Sequence, residues 1–137
     1  MRLLLGYDGS EHAKRALDRA AQLAGTDPVT VVSVVPMASP AGRGPAVLAV
    51  QELTIHHEQL EEARSMLETR GATAHLIETL GNPIGDPADA LMHVAKDQEA
   101  ELMVVGTRGL GGLKRLVLGS VSTKLVHEAP CDVLVVR

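Results

Sequence analysis

Between Gly106 and Ser122 the chain gathers the residue types that hold phosphate. Glycines stand at 106, 109 and 119, a serine follows the last of them, and Arg108, Lys114 and Arg115 add positive charge. Glycine alone lets a backbone both take unusual φ values and come close to a bulky group. Ser120 falls where a helix should begin and is a candidate N-cap. The free N–H groups of that first turn, at the positive end of the helix dipole, make an anion site. No acid interrupts the stretch from Gly106 to Lys124. The plain alternative is a glycine-rich surface loop with solvated basic side chains.

Other chemistries fit less well. Gly106 and Gly111 have the spacing of a Walker-type loop, but Gly112 stands where its lysine is needed. Gly109 and Gly111 begin a dinucleotide fingerprint that Lys114 breaks at its third glycine, and the first strand is followed only by Asp8, Gly9 and Ser10. There is no Gly-x-Ser-x-Gly nucleophile elbow. His56 and His57 are neighbours on a helix and point about 100° apart, so they cannot share a metal. His12, His75, His93 and His127 lack ligand spacing and read as surface residues. Glu58, Glu61, Glu62 and Arg64 read as a solvated helix face, and Met92 and Met103 as core filler.

These residues need a scaffold to position them. Leu102–Val105 has the length and branching of a buried strand. About a dozen residues then pass before helical spacing resumes at Val121, Leu125 and Val126, where strand-to-helix connections usually take about 2–6. Upstream, Arg2–Tyr7 is a first strand, and Asp8, Gly9 and Ser10 are turn chemistry before a helix opened by Glu11. Ala13, Ala16, Leu17, Ala20 and Ala24 form its inner face, and Gly25 stops it. Val29–Val35 is a second buried strand closed by Pro36, and Met37–Pro45 is loop. A helix is expected from about Val47 to Arg70, with Leu53, Leu60, Ala63 and Leu67 inward and Gly71 as its stop. Thr73–Thr79 alternates polar and apolar residues, as an edge strand with one wet face does.

Gly81–Gly85 is loop. Asp86 and Pro87 supply an N-cap acid and a proline at the first helical position, with Ala88, Leu91, Met92 and Ala95 as the buried stripe. After the glycine loop come a helix over Ser120–Glu128 and a strand over Cys131–Val136. Strand and helix thus alternate from end to end, which predicts an α/β fold: a parallel, doubly wound sheet with helices on both faces. Ligands of such sheets sit beyond the carboxyl ends of the strands, where strand order reverses. With the first and fourth strands adjacent there, Asp8 and the glycine loop meet in one crevice.

Composition sets the outer bounds. The 137 residues suit a single domain, 1–137, with room for a true core. Apolar residues are 45% but aromatic ones 1%, so that core must be leucine, valine and alanine. A net charge of −4 gives no footprint for nucleic acid or an anionic membrane. No apolar run approaches the roughly 18 residues of a membrane span, and no signal-like segment opens the chain. Cys131, the one cysteine, has no internal partner, which fits a reducing cytoplasm. It reads best as a small residue at a strand start, with an intermolecular or redox role as the alternative.

Gly106-x2-Gly109-x9-Gly119-Ser120 resembles the nucleotide-binding signature of the universal stress protein family. The opening Leu3–Glu11 is similar to that family's first strand and turn, and Pro130–Val136 to its closing strand, so the resemblance covers the whole chain. It implies a Rossmann-like, five-stranded parallel sheet of order 3-2-1-4-5 and a nucleotide-dependent regulator of the stress response. By resemblance to ATP-binding members, Gly6, Tyr7, Asp8 and Val34 would lie against the base and nucleoside, with Asp8 bonding the nucleoside or reaching toward a metal. Gly106, Arg108, Gly109, Gly119, Ser120, Val121 and Ser122 would wrap ribose and phosphates. Mg2+ would accompany ATP, held mainly through the phosphates. Gly6 departs from some ATP-binding relatives, which have proline there.

The resemblance also implies a homodimer through the last strand, Val133–Val136. An uninterrupted apolar run at a sheet edge needs cover, either from a symmetric partner or from the chain's own helices. The alternative function is a weak ATPase or an adenylyl-transfer enzyme of the related nucleotide alpha-hydrolases. Their Ser-Gly-Gly-x-Asp-Ser and His-x-Gly-His elements are absent early in this chain. A dimer with an empty or occasional pocket is a third reading.

Overall fold

Leucine and valine runs that bury both faces make the centre of the fold. β1 (Leu3–Gly6), β2 (Val29–Val35) and β4 (Leu102–Gly106) are almost wholly inaccessible, as strands covered by helices on both sides must be. β3 (Ala74–Leu80) and β5 (Asp132–Val136) flank them and are only partly buried. The computed structural model describes residues 1–36, 45–81, 86–107 and 118–137, with the backbone alone for 45–51. Its five-stranded sheet has the order β3-β2-β1-β4-β5, with every pairing parallel. Leu3 stands opposite both Val29 and Leu102, so the strands are closely aligned.

The first and third helices start where local chemistry says they should. α1 (Glu11–Ala24) opens at Ser10, whose Oγ accepts from Ala13 N at 3.1 Å, and ends at Gly25 with φ 61°. Its buried face is Ala13, Ala16, Leu17, Ala20 and Ala24, as the spacing predicts. α3 (Pro87–Asp97) opens at Asp86, whose Oδ1 accepts from Ala88 N at 3.0 Å. Its stripe is Ala88, Leu91, Val94 and Ala95; Met92, expected inward, lies half-buried on the flank.

α2 (Pro45–Thr69) buries Leu60, Ala63 and Leu67, but Leu53 is 42% exposed, contrary to expectation. The reason is length. Its 25 residues extend about 37 Å, whereas the 7 residues of β2 reach only about 23 Å, so the start of the helix overhangs the sheet. α4 (Ser120–Glu128) buries Ser122 and Leu125; Val126, part of the expected apolar spacing, is 51% exposed and Val121 half-buried.

Side chains alternate across the sheet and divide the interior into two cores. Leu3 and Leu5 pack with Leu17, Val31, Leu60 and Leu67 under α1 and α2. Leu4 packs with Val32, Leu91, Met103, Val105 and Leu125 under α3 and α4. Each fully buried leucine contributes about 1.5–3 kcal/mol of transfer free energy. Among the described residues no helix is long and apolar enough to cross a membrane. β1 and β4 are neighbours, the first leading to α1 on one face and the second toward α4 on the other. Their carboxyl ends form the switch point of the sheet.

Candidate functional site

At the end of β1, the segment Gly6–Ser10 makes one wall of the switch point. A Cβ on Gly6 would sit 3.1 Å from Val105 Cγ1 and 3.3 Å from Leu91 Cδ1, so this glycine lets α3 close on the sheet. Asp8 is half-buried, and its Oδ1 accepts from Ser10 N at 3.0 Å, an Asx turn that shapes the loop. Gly9 takes φ 78° with the Gln59 side chain against it, which calls for glycine. Val34, on β2, packs half-buried toward the α3 side.

The Tyr7 side chain does not face this opening. It is 3% exposed beneath α2, its hydroxyl donating to Glu62 Oε2 at 3.2 Å. Burial, then the Glu62 charge and hydrogen bond, pushes the phenol well above its ordinary range. Glu62 also pairs with Lys14 Nζ at 3.0 Å, so it is a clasp between β1, α1 and α2 rather than a purely solvated residue. With its N–H donated to Val32 O at 2.9 Å, Tyr7 can therefore offer a ligand its main-chain carbonyl only.

At the end of β4, the space that a side chain on Gly106 would occupy is filled by α1. A Cβ there would lie 2.7 Å from the His12 carbonyl carbon and Cβ and 2.9 Å from its carbonyl oxygen. Thr107, 9% exposed, follows and commits each of its polar groups to a different element. Its N–H donates to Val136 O on β5 at 2.9 Å. Its hydroxyl lies 2.9 Å from His12 Nδ1, one donating to the other according to the imidazole tautomer. Its carbonyl accepts from Gly119 N at 2.7 Å and from Ser122 Oγ at 3.1 Å.

That network corrects the expected start of α4. Gly119, not Ser120, is the N-cap; it has φ −61° and ψ 162° and supplies no side-chain cap. Of the two groups expected to face phosphate, the Gly119 N–H is spent on Thr107 and the Ser122 hydroxyl is shared between the Thr107 and Gly119 carbonyls, each at 3.1 Å. The first intrahelical bond runs from Thr123 N to Gly119 O at 3.0 Å. The N–H groups of Ser120, Val121 and Ser122 therefore have no intrahelical partner, and Ser120 is exposed. Arg108 and Gly109, with Lys114 and Arg115, lie outside the described residues.

The remaining reactive side chains are elsewhere. Among the described residues no three of His, Cys, Asp and Glu converge as a metal site would require. His56, expected at the surface or boundary, is turned inward to Ser33 Oγ at 2.6 Å. Burial raises the pKa of the Cys131 thiol, which blunts its reactivity. A hollow of about 380 Å³ opens at the opposite end of the strands, beside Arg2, Thr30 and Glu101. Its charged groups already have partners: the Met1 amino group pairs with Asp27, the Glu101 carboxylate accepts from the Arg2 backbone N–H at 2.8 Å, and Arg2 Nε donates to the Glu99 carbonyl at 2.6 Å.

His12 and Thr107 are the residues that motif reading missed. One signal was present: Thr107 directly follows the first glycine of the signature, and His12 sits in the first turn of the helix after Asp8.

Comparison with known proteins places these features in context. The model of the universal stress protein family matches residues 1–137. A universal stress protein of Thermus aquaticus is 38% identical over 139 residues, covering 98% of this chain and 97% of the relative. Universal stress protein UspA from Lactobacillus plantarum superposes with a TM-score of 0.85 over 100% of this chain and 97% of its own; at 22% identity that is a likeness of fold. A universal stress protein solved in complex with cAMP is 29% identical, with a TM-score of 0.76 over 100% of this chain and 97% of that one.

Proposed function

This chain belongs to the universal stress protein family, and on that premise we propose that it binds an adenine nucleotide, ATP with Mg2+, at the carboxyl ends of β1 and β4. Its nucleotide-loaded state then acts as a regulator in the stress response. The observation that carries this reading is the N-terminus of α4, which has no side-chain cap among the described residues. Gly119 offers no side-chain cap, and the N–H groups of Ser120, Val121 and Ser122 lack intrahelical partners at the positive end of the helix. Such a terminus suits phosphate. A relative solved with cAMP supports an adenine nucleotide as the occupant.

In this reading Asp8 and the main chain of Gly6, Tyr7 and Val34 bound the base and ribose. Gly106 and Gly119 bring the walls together, Arg108 and Gly109 complete the phosphate side, and Ser120, Val121 and Ser122 donate to the phosphates. When bound, Mg2+ neutralises part of the triphosphate charge. It would be held chiefly by the phosphates, since the stretch from Gly106 to Lys124 carries no carboxylate. The protein works as a homodimer joined through Val133–Val136, and in the cytoplasm, where a free thiol such as Cys131 persists.

Gly119→Asp tests the phosphate contact. The backbone at 119 suits a capping aspartate, which would bond the N–H of Val121 or Ser122 and place negative charge where phosphate must sit. Folding stability should hold or rise by a few tenths of a kcal/mol, while ATP affinity in calorimetry should fall about tenfold or more. Titrations with ADP, AMP and cAMP rank the preferred nucleotide. Equal ATP affinity in wild type and variant rules the site out.

A further inference from the structure

We propose that His12 is a positioning residue of this nucleotide site, acting through Thr107 on the first turn of α4. The inference rests on the function proposed above. It begins from the packing of α1 against Gly106, where His12 backbone atoms lie 2.7–2.9 Å from a would-be Cβ. With the helix that close, the imidazole reaches the Thr107 hydroxyl, 2.9 Å from Nδ1. Thr107 in turn fixes α4 through its carbonyl, which accepts from Gly119 N at 2.7 Å and Ser122 Oγ at 3.1 Å. A displacement of Thr107 therefore shifts the N–H groups of Ser120, Val121 and Ser122 together.

The direction of coupling follows from what each bond holds. The Thr107 N–H is anchored to Val136 O on β5 and its carbonyl to α4, so the backbone is tied on two sides. The His12 bond is the tie to α1, the helix that starts just after Asp8. It joins the nucleoside side of the site, built on β1 and α1, to the phosphate side, built on β4 and α4. Cutting it leaves both halves folded but free to settle at slightly different separations.

The test uses the full chain and ATP calorimetry, with thermal unfolding and amide hydrogen exchange on every variant. His12→Ala is expected to weaken ATP roughly 5- to 10-fold, the scale of one hydrogen bond. Asparagine places an amide near the Nδ1 position and glutamine near Nε2. His12→Asn should therefore recover affinity where His12→Gln does not. Thr107→Val should match His12→Ala, Thr107→Ser should bind like wild type, and combining His12→Ala with Thr107→Val should add nothing further. The Gly119 amide should exchange faster in the weakened variants.

Wild-type affinity in His12→Ala and Thr107→Val overturns the positioning role and leaves the nucleotide site standing. Loss of thermal stability in these variants with unchanged affinity does the same, since it assigns the bond to folding alone. A wild-type protein that binds no adenine nucleotide overturns both proposals.

Discussion

At Gly106 the missing side chain makes room for the backbone of α1. A ligand-facing glycine and a packing glycine look the same in sequence, because both are simply the absence of a Cβ. The distances separate them: 2.7 Å to His12 carbonyl carbon and Cβ leaves no space for a methyl group, and the atoms it meets include main chain that cannot swing aside. Gly106→Ala should lower unfolding free energy by about 1–3 kcal/mol in urea titration, and a variant as stable as wild type would falsify the packing account. Caps were the most legible residues. Ser10 and Asp86 act on N–H groups two or three residues away, so local sequence suffices to place them. Ser120 misled because its type fits an N-cap while the Thr107 carbonyl, reaching Gly119 across the loop, sets the helix start one residue earlier.

Among the elements, β5 invites the clearest experiment. It is an edge strand, and Val133, Leu134, Val135 and Val136 remain only partly buried. Val136 O accepts from Thr107 N, so in this ladder Val136 and Leu134 turn their backbone groups toward β4 while Val133 and Val135 turn theirs to the open edge. Proline at 135 removes an edge donor without taking a bond from β4. Light scattering should show wild type at twice the 14.4 kDa chain mass and Val135→Pro at the chain mass, with α/β circular dichroism retained. A monomeric wild type at micromolar concentration excludes that dimer. Elements were legible because hydrophobic period and punctuation are local; Leu53 and Val126 were misplaced because helix overhang and rotation depend on what lies underneath.

Across the whole molecule, the knot of Tyr7, Glu62 and Lys14 ties the end of β1 to α1 and α2 on one face of the sheet, and it carries a pH signature. Burial first and Glu62 second raise the Tyr7 pKa, while the Glu62 hydrogen bond raises that of Lys14. Both folded values exceed the unfolded ones, so the contribution is fully present at neutral pH. Above about pH 10 the unfolded chain releases these protons first, binds fewer than the native state, and stability falls. With one tyrosine and no tryptophan in the chain, phenolate absorbance reports Tyr7 alone. Its titration should lie well above that of free tyrosine until the protein unfolds, and Tyr7→Phe should flatten the alkaline loss of stability. An ordinary phenol titration in the folded protein contradicts the burial. By itself the sequence determined the alternation of strands and helices, the caps at Ser10 and Asp86, and the family of the glycine spacing, since each depends on neighbours in the chain. Only the tertiary structure decided that Gly106 serves α1, that Tyr7 turns to Glu62, and that Thr107 binds His12 and Gly119 together. Those contacts join residues far apart in sequence, and no local pattern encodes which distant partner a backbone amide or hydroxyl will find.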